Sequence, residues 1–122
     1  MMKRLYILTR NDLGIAYQAV QGAHAVAQFV LDYPDNEWKN GYLIFLAVED
    51  EGELREWLGN LEFDNEMKSN DKKIPISKFF EPDLDNQLTA VAVYTTGRKF
   101  KNLDIMAQPE CECQQCECEE VA

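Results

Sequence analysis

LYILTRNDLGIAYQAVQGAHAVAQFVLDYP, residues 5–34, decides the fold. LYILT (5–9) is a compact apolar and β-branched run of the kind that fills a buried strand. Asn11 or Asp12 follows, and either can cap a helix by offering a side-chain oxygen to the free backbone N–H groups of its first turn. The helix is expected from about Ile15 to Asp32, with Pro34 stopping it. Ala16, Ala19/Val20, Ala23, Val26/Ala27 and Val30 recur at three- and four-residue steps and form one apolar face. Tyr17, Gln21, His24 and Gln28 form a second, polar stripe on the other side. Gly22, Ala23 and Ala25 keep the surface beside it low, so another backbone or a ligand could approach closely.

Outward from this unit, YLIFLAV (42–48) has no polar alternation and reads as a strand covered on both faces, which suits a parallel sheet reached by the preceding helix. Glu49, Asp50 and Glu51 place negative charge at the start of a second helix, ELREWLGNL (53–61), where the helix dipole favours it. Leu54, Trp57, Leu58 and Leu61 are its buried stripe, and the polar EFDNEMKSNDKK (62–73) is expected to be a surface loop. IPISKFF (74–80) is a third strand, which Pro75 assigns to an edge or to the strand's first residues. A loop, EPDLDNQ, leads to a fourth strand, LTAVAVYTT (88–96), and GRKFKNLDIM closes the fold. The order β-α-β-α-β-β implies one small α/β domain over residues 1–107, a four-stranded mixed sheet with helices on its faces. Residues 108–122 are expected to be a disordered, low-complexity, acidic and Cys-rich tail.

A chain of 122 residues with 46% hydrophobic residues can build one core without disulfide or metal staples, and no stretch is apolar enough to span a bilayer. MMKRLYILTR lacks the apolar region and small-residue cleavage site of a signal peptide, so the expectation is a cytoplasmic protein. A net charge of −10 argues against undirected nucleic-acid binding, which rests on Lys and Arg releasing counterions. Neither DNA nor a membrane is expected as a partner. Five of the 22 acids lie in the tail with no base among them, leaving 17 acids against 12 bases in residues 1–109. Within that body the bases collect in Lys3, Arg4 and Arg10, in Lys72, Lys73 and Lys78, and in Arg98, Lys99 and Lys101. They are either a local positive face or solvated surface charge.

Three motifs can carry chemistry. In Gln21-x-x-His24 the imidazole can exchange a proton near neutral pH or polarise a carbonyl, and the amide one turn away can orient water; the bland alternative is a histidine filling a packing gap. In FFEPDLDNQLTA, Glu81, Asp83 and Asp85 crowd one strand's exit while Asn86, Gln87 and Thr89 begin the next, at the strand ends where α/β sites lie; an ordinary acidic turn has the same composition. All four cysteines, Cys111, Cys113, Cys116 and Cys118, stand in the tail as C-x-C-x-x-C-x-C, enough thiolates for a soft ion such as zinc or copper(I). Neighbouring glutamates raise thiol pKa values and oppose that binding, leaving reactive thiols on an acidic tail as the other reading. No cofactor is expected in the body.

Taken together, LYILTRNDL, then QGAHA on the first helix, then VEDEGELREWL, then a polar strand-exit loop before LTAVAVY resemble the archaeal and eukaryotic-type (type 2) peptidyl-tRNA hydrolases over about residues 4–106. The resemblance implies hydrolysis of the ester between a stranded peptide and the tRNA 3′ ribose, without a metal, by a protein that is typically a homodimer. His24 and Gln21 would lie at the site, with Glu81 or Asp83 as base or positioner and Thr89 as a supporting hydroxyl. Arg10, Asn11, Tyr17, Lys78 and Arg98 would be the substrate-facing residues. The family carries a lysine four residues before the glutamine, where this chain has Tyr17, and a D-A-G-R-T-Q loop, where it has E-P-D-L-D-N-Q. Arg10, Lys78 or Arg98 would have to replace the missing positive charge. These departures set a second expectation beside the enzyme: the same fold kept as a binding or regulatory module that recognises tRNA, a nucleotide or a protein without turnover.

Overall fold

The computed structural model describes residues 2–106, so the cysteine motif lies outside the described residues. Five strands form one mixed sheet in the order β3-β4-β1-β2-β5: β1 (Arg4–Arg10), β2 (Leu43–Val48), β3 (Ile76–Glu81), β4 (Gln87–Thr95) and β5 (Asp104–Ile105). β1 runs parallel to β2 and antiparallel to β4, and β3 and β5 close the two edges antiparallel to their neighbours. The α/β reading and the edge position of β3 hold, but the sheet has five strands rather than four. The fifth, two residues long, pairs with Leu46 and Ala47 and has no apolar run to announce it.

Helix α1 (Ile15–Asp32) covers one face of the sheet and α2 (Glu51–Glu66) the other. α2 extends five residues beyond the expected LGNL end, through residues read as loop, and Asn65 then fastens the chain that follows by exchanging two hydrogen bonds with Ile74. It begins at Glu51, two residues before the expected segment, within the acidic run read as favourable charge at its start, and Asp50 caps it by accepting from the Glu53 N–H at 2.9 Å. α1 starts differently. Asn11–Leu13 form a turn of 3₁₀ helix, and the cap is Gly14, whose φ of +79° suits a residue without a Cβ.

The α2 face is packed with large aliphatic groups: Leu8, Leu46 and Val48 with Leu88, Val91 and Val93, against Leu54, Leu58 and Leu61. On the α1 face, Leu5, Ile7, Ala90 and Ala92 meet Ala25 and Phe29. The orientation of α1 differs from a reading that would bury its Ala/Val face. The buried residues are Gln18, Gln21, Gly22, Ala25 and Phe29, while Ala16, Ala19, Val20, Ala23, Ala27 and Val30 face outward. Small apolar residues lie all around this helix, so the sheet's partners for Gln18 and Gln21 decide which side turns in. Gly22 permits the approach: a Cβ there would run into the Phe45 ring.

Candidate functional site

Because β3 is parallel to β1, the ends of both strands, the start of α1 and the start of β4 share one edge of the sheet. There the sequence-predicted residues Gln21, Glu81 and Thr89 form a continuous hydrogen-bond chain. The Thr89 hydroxyl donates to Gln21 Oε1 at 2.7 Å, and Gln21 Nε2 donates to Glu81 Oε1 at 2.8 Å. An ionised carboxylate only accepts, so Glu81 fixes which end of the Gln21 amide faces it, and that in turn commits the Thr89 proton to Gln21. Gln21 and Thr89 are fully buried, whereas Glu81 is half-buried and keeps lone pairs toward solvent. Asp83 sits on the 3₁₀ turn after β3; its N–H points at Glu81 Oε2 over 3.5 Å, and its own carboxylate is exposed.

A bulge in β4 makes this chain. Phe79 pairs with Ala90 and Phe80 with Leu88, so Thr89 is the extra residue. In a regular strand Thr89 would point to the same face as Val91, toward α2; the bulge turns it to α1. Side chains replace the ladder there: Arg10 donates to the Leu88 carbonyl at 3.0 Å, and Leu88 N–H donates to Glu51 at 2.9 Å. That N–H is the first cause holding the Glu51 carboxyl below its ordinary range, with Arg55 and Arg10 adding to it.

His24 is exposed one turn along α1 from Gln21, and its ring stacks on Phe79 with centroids 4.6 Å apart and planes 7° from parallel. Phe79 and Glu81 stand two apart on one face of β3, so the imidazole and the carboxylate flank Gln21. Tyr17 completes the group. Its phenol is held above its ordinary range by loss of water first, then by the negative charges of Glu81 and Asp83, and so it stays a hydroxyl donor at neutral pH.

The other expected substrate-facing residues are not brought to this group. Arg10 is buried, holds Asp12 with two hydrogen bonds of 3.0 and 2.8 Å, and braces Gln87 and Leu88 beside α2. Lys78 pairs with Glu62 of α2 at 3.0 Å. Arg98 lies on the turn after β4, at the opposite end of the sheet. Asn11 lies on the same edge but lines a separate polar cleft of about 240 Å³ with Glu49, Glu53 and Asn102. Sequence reasoning missed a second buried pair beside the first: the Thr9 hydroxyl donates to Gln18 Oε1 at 2.8 Å. Its signal was a threonine in an apolar strand and a glutamine three places before Gln21. Among the described residues no group of three or more His, Cys, Asp and Glu side chains is placed to hold a metal ion, and no helix is long and apolar enough to cross a membrane.

Neither a family profile nor a curated protein matches the chain. Among solved structures, the fold is similar to that of a protein of unknown function from Agrobacterium tumefaciens, with 14% identity, a TM-score of 0.56, and coverage of 88% of this chain and 100% of that one.

Proposed function

We propose that the protein hydrolyses the ester joining a peptide to the 3′ ribose of tRNA, by attack of water without an acyl-enzyme, as a member of the type 2 peptidyl-tRNA hydrolases. The chain Thr89–Gln21–Glu81 beside His24 carries this reading, because it fixes a half-exposed carboxylate next to an exposed imidazole at the strand ends. Glu81 rather than Asp83 is the base or water positioner, since Glu81 alone is anchored to Gln21. Water held by its free lone pairs attacks the acyl carbon and passes a proton to the carboxylate. The bond from that carbon to the ribose oxygen breaks as His24, in its imidazolium form, donates a proton to the leaving oxygen, and proton exchange with solvent then returns Glu81 to the carboxylate and His24 to the imidazolium. Tyr17, as a neutral donor, faces the developing oxyanion in place of the lysine. Recognition of the tRNA end and assembly as a homodimer in the cytoplasm belong to the same proposal.

One observation favours the second reading, a binding or regulatory module. Arg10, Lys78 and Arg98, the three cations expected to replace the lysine, all lie away from the group. Purified peptidyl-tRNA decides between them. Release of free tRNA by the wild type and a fall of about 100-fold or more in His24→Ala and Glu81→Gln supports the hydrolase, this being the usual scale of acid–base catalysis. No release by a folded wild type that still binds tRNA supports the module.

A further inference from the structure

At the end of the sheet opposite Gln21, three basic clusters that are separate in sequence meet around one cleft of about 270 Å³. Lys3 enters it before β1, Lys68, Lys72 and Lys73 from the connection between α2 and β3, and Lys99 from the turn after β4. Lys99 pairs with Asp64 at 3.2 Å, but Lys3, Lys68, Lys72 and Lys73 take part in no ion pair among the described residues. The single acid lining this cleft, Asp71, accepts the Ser69 hydroxyl at 2.6 Å. In a chain of net charge −10, four lysines that line one concavity without an ion pair call for an anion.

Beside this cleft lies a second lobe of about 380 Å³ that shares Lys3, Asp71, Lys73, Pro75 and Tyr94 with it. This lobe has the opposite character. Asp35 and Glu37 line it with no side-chain hydrogen bond among the described residues, together with Tyr33 and Tyr94. Asp32 there is already engaged by Ser77 and Gln28. An extended phosphodiester chain would be attracted by one lobe and repelled by the other. A small molecule anionic at one end and rich in hydrogen-bond donors at the other fits both, and the two volumes together are of ligand-pocket size, on the order of 300–1,000 Å³.

We propose that this bilobed cleft binds a nucleoside polyphosphate, its phosphates among Lys3, Lys68, Lys72 and Lys73 and its ribose hydroxyls or base amino group on Asp35 and Glu37. Lysines suit the first part, because point charges hold phosphate without the planar match that arginine imposes. The proposal does not depend on the hydrolase reading, since binding and not turnover is measured.

The full chain is titrated calorimetrically with ATP, inorganic triphosphate and uncharged tRNA, together with two variants whose unfolding midpoints are checked. Lys68→Gln/Lys72→Gln/Lys73→Gln is expected to weaken ATP about thirtyfold, roughly threefold per partly solvated charge contact. Asp35→Asn/Glu37→Gln is expected to weaken ATP while leaving triphosphate unchanged. Triphosphate binding as tightly as ATP, with no effect of the carboxylate variant, would show a bare cationic patch and overturn the proposal. So would tRNA binding that the lysine variant abolishes and ATP does not compete for, or no binding of ATP at millimolar concentration.

Discussion

The two faces of the sheet are built to different rules. Between the sheet and α2 lie leucines and valines packed into one apolar cluster. Between the sheet and α1, two buried glutamines answer two threonines across a layer thinned by Ala25, Ala90 and Ala92 and by Gly22. Apolar packing is non-directional and tolerates small shifts, whereas the glutamine–threonine pairs fix distances and proton directions. The α2 face supplies stability, and the α1 face supplies a defined geometry at one edge.

This comparison breaks if substitutions on the two faces have the same effect. Glu81→Gln should lower peptidyl-tRNA hydrolysis by about 100- to 1,000-fold in kcat, with the urea midpoint almost unmoved; a large loss of stability would place Glu81 in the framework instead. Leu54, fully buried under α2, should give the reverse. Leu54→Ala is expected to cost about 3 kcal/mol in urea unfolding, with residual activity following only the folded fraction.

Smaller changes sharpen the contrast. Thr89→Val keeps the shape but strands the Gln21 carbonyl oxygen, at about 2 kcal/mol for an unpaired buried acceptor; the protection of β4 amides against hydrogen exchange and the activity should fall together. Gly22→Ala drives a Cβ into the Phe45 ring and should cost about 1–2 kcal/mol by overpacking, read as a lowered unfolding midpoint. The smallest effect belongs to pH. The folded Glu51 carboxyl lies below its ordinary range, so the stability it brings is present above the unfolded pKa and is lost as pH falls through the folded value. Thermal unfolding of Glu51→Gln should therefore show a shallower acid limb than the wild type, while the Leu88 N–H keeps an acceptor.

Much of this architecture is legible locally. The α1 limits, the Leu54/Trp57/Leu58/Leu61 stripe, the charge at the start of α2 and the edge strand marked by Pro75 are set by residues within one turn or one strand of each other. The end of α2 was not, because its last turn is polar and is tied down by Asn65 reaching Ile74, nine residues on.

The site divides in the same way. Sequence alone marked Gln21, His24, Glu81 and Thr89 as residues able to do chemistry, since those side chains carry donors, acceptors and an exchangeable proton wherever they stand. Only the tertiary structure joined Glu81 and not Asp83 to Gln21, turned the glutamine side of α1 inward, and swung Thr89 to that side through a single extra residue in β4. The reason is physical: a strand's period is two, so one bulge exchanges its faces, and a polar helix stripe is buried only where a partner across the interface satisfies it.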